Sequence, residues 1–311
     1  MPRRRIGFWY RFAAVLCKPW LVVLIKRDWR GMEHIPADGG FITAVNHNSH
    51  VDPFAYAHFQ YNSGRVPRFL AKSALFKEGF VGAAMRGTGQ IPVYRESTDA
   101  LSAFRAAIDA VERGECVAFY PEGTLTRDPD GWPMTAKTGA ARVALQTRCP
   151  VIPVAQWGAN ELLPPYARKP DLLPRKTHHV LAGPPVDLTR FYGHEMTPEL
   201  LKEATEVIMA AVTAQLEEIR GEKAPERPYD PRRERIEQRR RTQAETAADA
   251  GLGSGAATGA EAGTETGVGA AVDTDAAANG AQAKGAEING AESGHARTSH
   301  AKSSHKGENS K

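Results

Sequence analysis

A histidine and an aspartate stand five positions apart in a polar segment that follows an apolar run. The segment reads Asn46-His47-Asn48-Ser49-His50-Val51-Asp52-Pro53, directly after Phe41 to Val45. On one helix, five residues correspond to about 500° of rotation, which would leave the two side chains roughly 140° apart. Pro53 favours the first position of a helix and disfavours the α conformation at Asp52, which makes Asp52 a natural N-cap. The segment is therefore predicted to be a strand-to-helix turn, and a turn can fold His47 back onto Asp52.

Such a pair can act as a general base. A carboxylate on one imidazole nitrogen fixes the tautomer and stabilises the imidazolium, and the other nitrogen can take a proton from a substrate hydroxyl. The spacing alone leaves two alternatives open, because His47 and Asp52 could both be capping residues, and His50 competes with His47 for the role of base.

The elements that must position this turn are short strands alternating with helices. Strands are predicted where short apolar runs are β-rich or bounded by Gly and Pro, at residues 41–45, 68–71, 91–94, 116–120, 151–155 and 179–182. Helices are predicted over Asp99 to Arg113 and from Thr197 onward, with Pro198 in the first turn. Alternating strands and helices predict an α/β fold with a mostly parallel or mixed central sheet flanked by helices.

The first thirty residues mix aromatic and aliphatic side chains with cations. Arg11, Lys18, Pro19 and Lys26 divide the apolar stretch into pieces too short to span a membrane, and no signal-peptide cleavage pattern follows. We therefore predict that residues 1–30 form one or two amphipathic helices that dock on an anionic membrane surface. The alternative is an ordinary helix packed on the surface of the domain.

The composition changes near residue 220. Residues 221–245 are rich in Arg and Glu and predict a basic linker or helix, in which a solvated segment is favoured over nucleic-acid or lipid binding. Residues 246–311 are rich in Ala and Gly and predict a disordered tail. Three widely spaced cysteines give neither a disulfide framework nor a metal pattern, which suits the cytoplasmic side of the cell.

Four motifs in order resemble the glycerolipid acyltransferase family of 1-acyl-sn-glycerol-3-phosphate acyltransferases. The first, N-H-x-S-x-x-D, is matched by Asn46 to Asp52 and selects His47 over His50. The other three resemble Gly89-Gln90-Ile91-Pro92-Val93-Tyr94-Arg95, Phe119-Tyr120-Pro121-Glu122-Gly123-Thr124 and Val151-Ile152-Pro153-Val154-Ala155. The resemblance covers residues 31–220 and implies a membrane-bound enzyme of phospholipid biosynthesis.

The resemblance also implies roles for individual residues. His47 would be the general base and Asp52 its orienting partner. The acceptor would be a lysophospholipid, and the donor and co-substrate would be acyl-CoA or acyl carrier protein. We expect no cofactor, no metal and no nucleic-acid partner. Residues implied to hold the acceptor are Lys72, Arg95, Glu122, Gly123, Thr124 and Arg127. The fourth motif would be structural or would line an acyl-chain channel.

The third motif departs from the family at one position. Many members carry arginine after the threonine, whereas this chain has Leu125, with Arg127 two positions later and Lys137 as a further candidate cation. The departure leaves the acceptor open, so an acyltransferase for another lysophospholipid or a glycolipid is an alternative. Two further alternatives, independent of this position, are a non-catalytic lipid-binding module and a thioesterase.

Overall fold

The computed structural model describes residues 6–94, 100–165 and 167–253, which form a seven-stranded mixed sheet with helices on both faces. The predicted fold class is therefore confirmed. The strands are β1 (Ile25–Arg30), β2 (Phe41–Val45), β3 (Pro67–Lys72), β4 (Ile91–Val93), β5 (Cys116–Phe119), β6 (Val151–Trp157) and β7 (Lys176–Ala182). The helices are α1 (Phe8–Leu24), α2 (Asp52–Asn62), α3 (Phe80–Gly87), α4 (Ala100–Glu112), α5 (Gly139–Thr147), α6 (Ala159–Leu162), α7 (Pro198–Arg220) and α8 (Pro231–Gly253).

The strand order is β1-β7-β6-β2-β5-β3-β4. The five strands from β6 to β4 run parallel, β7 is antiparallel to β6, and β1 runs parallel to β7. The carboxyl ends of β2, β5, β3 and β4 therefore meet at one edge of the sheet, which is where open α/β sheets bind ligands. Three of the four motifs predicted from the sequence end at this edge.

The central strands are buried on both faces. In β2, Phe41 and Val45 pack with Tyr56 and Phe59 of α2, whereas Ile42 and the residues alternating with it face the core formed by α4, α5 and α7. Because both faces are covered, every residue of β2 is apolar or buried and the strand reads as a continuous run rather than as an alternation.

The prediction that residues 1–30 are entirely helical is wrong at its carboxyl end. Residues Ile25–Arg30 form β1, which pairs with β7 from Ile25–Lys176 to Arg30–Leu181. An edge strand has a hydrogen-bonding partner on one side only, and charged side chains there discourage pairing with other chains. The three charged residues between Ile25 and Trp29 gave this strand no apolar run by which it could be found in the sequence.

A single helix, α1, occupies most of the remaining N-terminal segment, with Pro19 inside it. Its first turns are held to the domain by Tyr10, whose phenol donates to the carbonyl oxygen of Pro67 and accepts from Gln90 Nε2 at 3.1 Å. Trp9 lies so close to Gly87 that a side chain there would overlap its ring. The helix is thus attached to the sheet on one side, although none of its residues is fully buried.

Two other boundaries differ slightly from the prediction. Helix α2 begins at Asp52 itself, after Val51, so Asp52 is not the N-cap. Helix α8 extends to Gly253, so the predicted tail cannot begin at residue 246. The rest of that tail, residues 254–311, lies outside the described residues, as do Arg3, Arg4 and Arg5 of the N-terminal segment.

Candidate active site

The turn after β2 brings His47 and Asp52 together. Nδ1 of His47 lies 2.9 Å from Oδ2 of Asp52, and the Asp52 side chain is 1% exposed while that of His47 is 15% exposed. His50 is exposed on the same turn. The geometry therefore singles out His47 as the imidazole that can meet both a buried carboxylate and a ligand from solvent.

Asp52 is the acceptor at the centre of the turn. Its Oδ2 accepts from the backbone N–H of Asn48 at 2.6 Å and of Ser49 at 2.7 Å, in addition to its contact with His47. A carboxylate can only accept hydrogen bonds, so Nδ1 of His47 must carry the proton and Nε2 remains as the basic nitrogen. Asp52 thus closes the turn and sets the tautomer of the base at the same time.

The third motif holds the backbone of His47. The His47 N–H donates to Oε1 of Glu122 at 3.0 Å, and the His47 carbonyl accepts from the Thr126 N–H at 2.7 Å. The other carboxylate oxygen of Glu122 accepts from the Met134 N–H at 3.1 Å. Glu122 is buried, and this burial raises the pKa of its carboxyl group to about 8.

Glu122 therefore lies beneath the base rather than in an open cleft. The family resemblance implies a contact between Glu122 and the acceptor, but both of its oxygens already accept backbone N–H groups and the residue is 3% exposed. Sequence reasoning did not identify this supporting position, because the contact joins residues 75 positions apart.

The turn that follows Glu122 is partly open and carries a cation. Gly123 has a φ of +73°, which favours glycine, and a β-carbon there would stand 2.9 Å from Cε of Lys137 and 3.0 Å from its Nζ. The Lys137 side chain is exposed, and the backbone N–H of Lys137 donates to the Pro121 carbonyl at 2.8 Å. Leu125 is buried, so a side chain at that position points into the fold. Of the two candidate replacements for the missing arginine, Lys137 is the one that lies against the turn.

An aromatic stack supports the imidazole from the sheet side. The rings of His47 and Tyr120 are stacked with centroids 4.2 Å apart, and Tyr120 is stacked on Phe69 at 5.8 Å. Because the two rings lie nearly parallel, this stacking opposes tilting of the imidazole out of its plane. The sequence predicted Tyr120 as part of a motif but assigned no contact to it.

The remaining sequence candidates surround the same edge of the sheet. Lys72 is the exposed last residue of β3, three residues or about 10 Å of strand beyond Phe69. Thr124 is half-buried after Gly123, and Arg127 is exposed next to Thr126. Arg95 lies outside the described residues. Lys72, Thr124 and Arg127 therefore share an edge with His47 by topology.

Other reactive side chains belong to the core. Burial raises the pKa of the Cys116 thiol to about 12 and lowers the pKa of His178 to about 3. Within the part of the chain that the structure describes, no three His, Cys, Asp or Glu side chains are grouped so that they could hold a metal ion.

Comparison with known proteins identifies similar chains. Residues 26–157 match the family model described as Acyltransferase. The chain is 28% identical over 160 residues to a chloroplastic 1-acyl-sn-glycerol-3-phosphate acyltransferase of Brassica napus, covering 50% of this chain and 45% of that one. It is 29% identical over 131 residues to a 1-acyl-sn-glycerol-3-phosphate acyltransferase of Bacillus subtilis, covering 41% of this chain and 61% of that one.

A solved structure is similar over a larger share of the chain. The 1-acyl-sn-glycerophosphate acyltransferase of Thermotoga maritima superimposes with a TM-score of 0.50 at 26% identity, covering 70% of this chain and 81% of that one. The chain spans 45% and 61% of the lengths of the two curated relatives named above, which is less than two thirds of either. Residues 26–157, which match the family model, contain β1 except for Ile25, all of β2 to β6, and the hydrogen bonds of His47 and Asp52 described above.

Proposed function

We propose that the protein is an acyltransferase, on the premise that residues 26–157, which match the Acyltransferase family model, form a domain of that family. The proposed reaction transfers a fatty acyl group from a thioester to the free hydroxyl of 1-acylglycerol-3-phosphate and gives phosphatidic acid. The observation that carries this proposal is the 2.9 Å contact between His47 and the buried Asp52 at the carboxyl edge of the sheet. The relatives named as 1-acyl-sn-glycerol-3-phosphate acyltransferases support the choice of acceptor.

The proposed reaction is a direct transfer. Nε2 of His47 takes the proton of the acceptor hydroxyl as its oxygen attacks the carbonyl carbon of the thioester, and the negative charge of Asp52 stabilises the imidazolium. The tetrahedral intermediate then collapses, the carbon–sulfur bond breaks, and the imidazolium returns the proton to the leaving thiolate. The products are the ester and the free thiol, and the imidazole regains its starting tautomer.

We assign the acceptor phosphate to the cations around the third motif. Lys137 lies against the Gly123 turn, Arg127 follows two residues after Leu125, and Lys72 ends the neighbouring strand. Cationic side chains and turn N–H groups are the usual partners of phosphate oxygens. A lysophospholipid with a terminal phosphate suits this set better than a neutral glycolipid does.

We also propose that the donor is acyl-CoA or acyl carrier protein and that no cofactor or metal takes part. A thioester is already activated for attack, so a base and an aligned hydroxyl are sufficient for the chemistry. The support for this is the His47–Asp52 pair, which supplies a base without a bound metal.

Release of CoA with a panel of acceptors tests the proposed activity. With palmitoyl-CoA, we expect 1-acylglycerol-3-phosphate to raise the rate at least about tenfold above the rate without acceptor, since a bound alcohol replaces water as the nucleophile. Lysophosphatidylglycerol, lysophosphatidylcholine and a glycolipid are the comparison acceptors. CoA release that no acceptor accelerates would identify a thioesterase, and absence of release would favour a lipid-binding module.

We propose that α1 places this site at a membrane surface. Helix α1 exposes six apolar side chains, and the exposed Phe80 and Val81 of α3 extend this apolar surface. The two helices meet where the rings of Phe12 and Phe80 are in edge contact, with their centroids 5.9 Å apart. We call this surface the apolar ridge; it consists of Phe8, Phe12, Val15, Leu16, Trp20, Val23, Phe80 and Val81. Across the described ranges, which lack residues 1–5, 95–99, 166 and 254–311, no helix could cross a membrane.

The ridge is suited to lie in the lipid interface. Exposed apolar areas of this kind mark interaction surfaces, and the exposed Arg11, Lys26 and Arg27 could meet anionic headgroups. We place the protein peripherally on the cytoplasmic face, in keeping with the free thiols of Cys17, Cys116 and Cys149.

Vesicle binding tests the ridge. Val15, Trp20 and Val23 are each more than 65% exposed. Changing all three to Ser should weaken binding of the protein to vesicles of phosphatidylcholine and phosphatidylglycerol. We expect a loss of at least about tenfold in sedimentation assays, because each side chain would contribute about 1 kcal/mol or more when buried in lipid. The matched control is Ile236→Ser on α8, where an exposed apolar residue lies outside the ridge. Equal binding by the triple variant and the control would contradict the assignment.

A further inference from the structure

A buried glutamine on β6 is bonded to the residue that precedes the catalytic histidine. Gln156 is 1% exposed, and its backbone N–H donates to Oδ1 of Asn46 at 2.7 Å. The Asn46 side chain donates back to the Gln156 carbonyl at 3.0 Å. The side-chain amide of Gln156 adds a third bond, from Nε2 to the backbone carbonyl of Asn46 at 3.0 Å.

The third bond fixes the peptide group that joins Asn46 to His47. Its carbonyl accepts from Gln156, and its N–H donates to Glu122 at 3.0 Å. The next peptide group is held in the same way, since the His47 carbonyl accepts from Thr126 and the Asn48 N–H donates to Asp52. Both peptide groups that flank the His47 side chain are therefore hydrogen-bonded through their carbonyl and their N–H. The four partners are Gln156, Glu122, Thr126 and Asp52. Of these four, only Gln156 lies on β6, the neighbour of β2 on the side opposite β5.

His178 on β7 sets the direction in which the glutamine amide points. Its Nε2 lies 3.3 Å from Oε1 of Gln156, and His178 is 1% exposed. Burial lowers the pKa of His178 to about 3, so the ring is neutral and can donate a single N–H to Oε1. With Oε1 occupied by this donor, the NH₂ group of Gln156 is directed at Asn46.

We infer that Gln156 is a positioning residue for the proposed acyl transfer, acting through the Asn46–His47 peptide group, and that His178 orients its amide. The inference rests on the proposed function. It also gives a role to the strand of the fourth motif, which carries Gln156 directly after Ala155. Because β6 and β7 make these contacts from beneath the turn, neither residue needs to touch a substrate.

Two substitutions of Gln156 separate a positioning role from a packing role. Gln156→Met keeps the approximate volume and removes the donor at every pH. Gln156→Glu keeps the shape, and its carboxyl group can donate to the Asn46 carbonyl only while it is protonated. Placement errors of about 1 Å can cost on the order of a hundredfold in rate, so we expect Gln156→Met to lower kcat by about 10- to 100-fold with the acceptor KM changed less than about twofold.

The pH dependence provides the readout that packing alone would not move. We expect the kcat of Gln156→Glu, divided by that of the wild type, to rise several-fold between about pH 8.5 and pH 5.5 as the buried carboxyl group gains a proton. The same ratio for Gln156→Met should stay flat. The titratable groups that face this amide in the described residues are His178 from β7 and Tyr120, the residue directly after β5. The pKa of the first is lowered to about 3 and that of the second is raised well above its ordinary value, so neither titrates in this range.

The control is a second buried glutamine away from the turn. Gln60 of α2 accepts from the Tyr56 hydroxyl at 2.9 Å, and Gln60→Met should keep kcat within about twofold of the wild type. A Gln156→Met enzyme with wild-type kcat, or a Gln156→Glu ratio as flat as that of Gln156→Met, would overturn the inference.

A measurement without substrate distinguishes this failure from failure of the proposed function. In imidazole ¹⁵N–¹H spectra, the Nδ1–H signal of His47 should be present in the wild type and lost or averaged in Gln156→Met. If wild-type protein turned over no acceptor, the proposed function would fail, and an unchanged His47 signal in Gln156→Met would separately refute the positioning role. If Gln156→Met does not fold, Gln156→Glu at about pH 5.5 and pH 8.5 supplies the same comparison within one folded protein.

Discussion

Replacing His47 with alanine should lower kcat for acceptor-dependent CoA release by at least about 10²-fold, because general-base assistance contributes roughly 10² to 10⁴-fold. The imidazole is the group that meets both the buried Asp52 and the open edge of the sheet. Its loss removes the base but leaves the turn, since the backbone contacts of residue 47 with Glu122 and Thr126 do not involve the side chain.

The neighbouring histidine supplies the control for this experiment. His50→Ala alters an exposed imidazole of the same turn and should keep kcat within about twofold of the wild type. Thermal melting of both variants establishes that they are folded. If His47→Ala retained more than about a tenth of wild-type activity, the assignment of the base would be wrong.

Changing Asp52 to asparagine should have the second largest effect, a loss of roughly 10²-fold or more in kcat with little change in the acceptor KM. The amide keeps the size of the carboxylate but lacks the charge that stabilises the imidazolium. An amide also has a single oxygen, and its NH₂ group cannot accept a hydrogen bond. If the NH₂ group takes the place of Oδ2, it faces three donors: His47 Nδ1 and the N–H groups of Asn48 and Ser49. Part of the loss therefore comes from an imidazole in the wrong tautomer.

A second histidine–aspartate pair makes a matched control. Nδ1 of His179 lies 2.7 Å from Oδ2 of Asp28, on the paired strands β7 and β1, where both side chains are about a third or more exposed. Exposed ion pairs contribute about 0 to 1 kcal/mol, so Asp28→Asn should leave kcat within about twofold of the wild type. An equal loss of kcat in both variants would show that the effect at Asp52 is not specific to the site.

Two carboxylates near one base have different environments and different roles. Asp52 accepts from the imidazole and from two N–H groups, whereas Glu122 accepts from the backbone N–H groups of His47 and Met134. Burial raises the pKa of Glu122 to about 8. The acid that the sequence resemblance assigns to the acceptor thus contacts the backbone that carries the imidazole.

Helix α1 is packed on the domain along one side and exposes apolar side chains on the other. Tyr10 and Trp9 attach the helix to β3 and α3, as in an ordinary surface helix, while Phe8, Val15 and Trp20 remain exposed. If the outer face of α1 rests on a membrane as proposed, this arrangement would hold the edge of the sheet that carries His47 at a fixed distance from the lipid. The vesicle experiment with the apolar ridge examines that consequence.

Much of the architecture was predictable because its signals are local. Six of the seven strands contain short apolar or β-rich runs bounded by Gly, Pro or polar residues. The Thr197 side chain caps the start of α7, where Pro198 is the first helical residue, as these two residue types predict. Strand β1 was missed because four of its six residues are charged, so it carries no such run. The contact of His47 with Asp52 was also within reach, since five residues of turn contain both partners.

The sequence by itself determined the alternation of strands and helices, the turn that pairs His47 with Asp52, and the motifs that resemble an acyltransferase. Only the tertiary structure decided that Glu122 holds the His47 backbone from 75 positions away, that Gln156 reaches Asn46 from 110 positions away, and that Lys137 lies against Gly123. The physical reason is that local propensity depends on neighbouring residues, whereas these contacts depend on the strand order that places β5 and β6 on either side of β2. No spacing in the sequence reports which strands become neighbours.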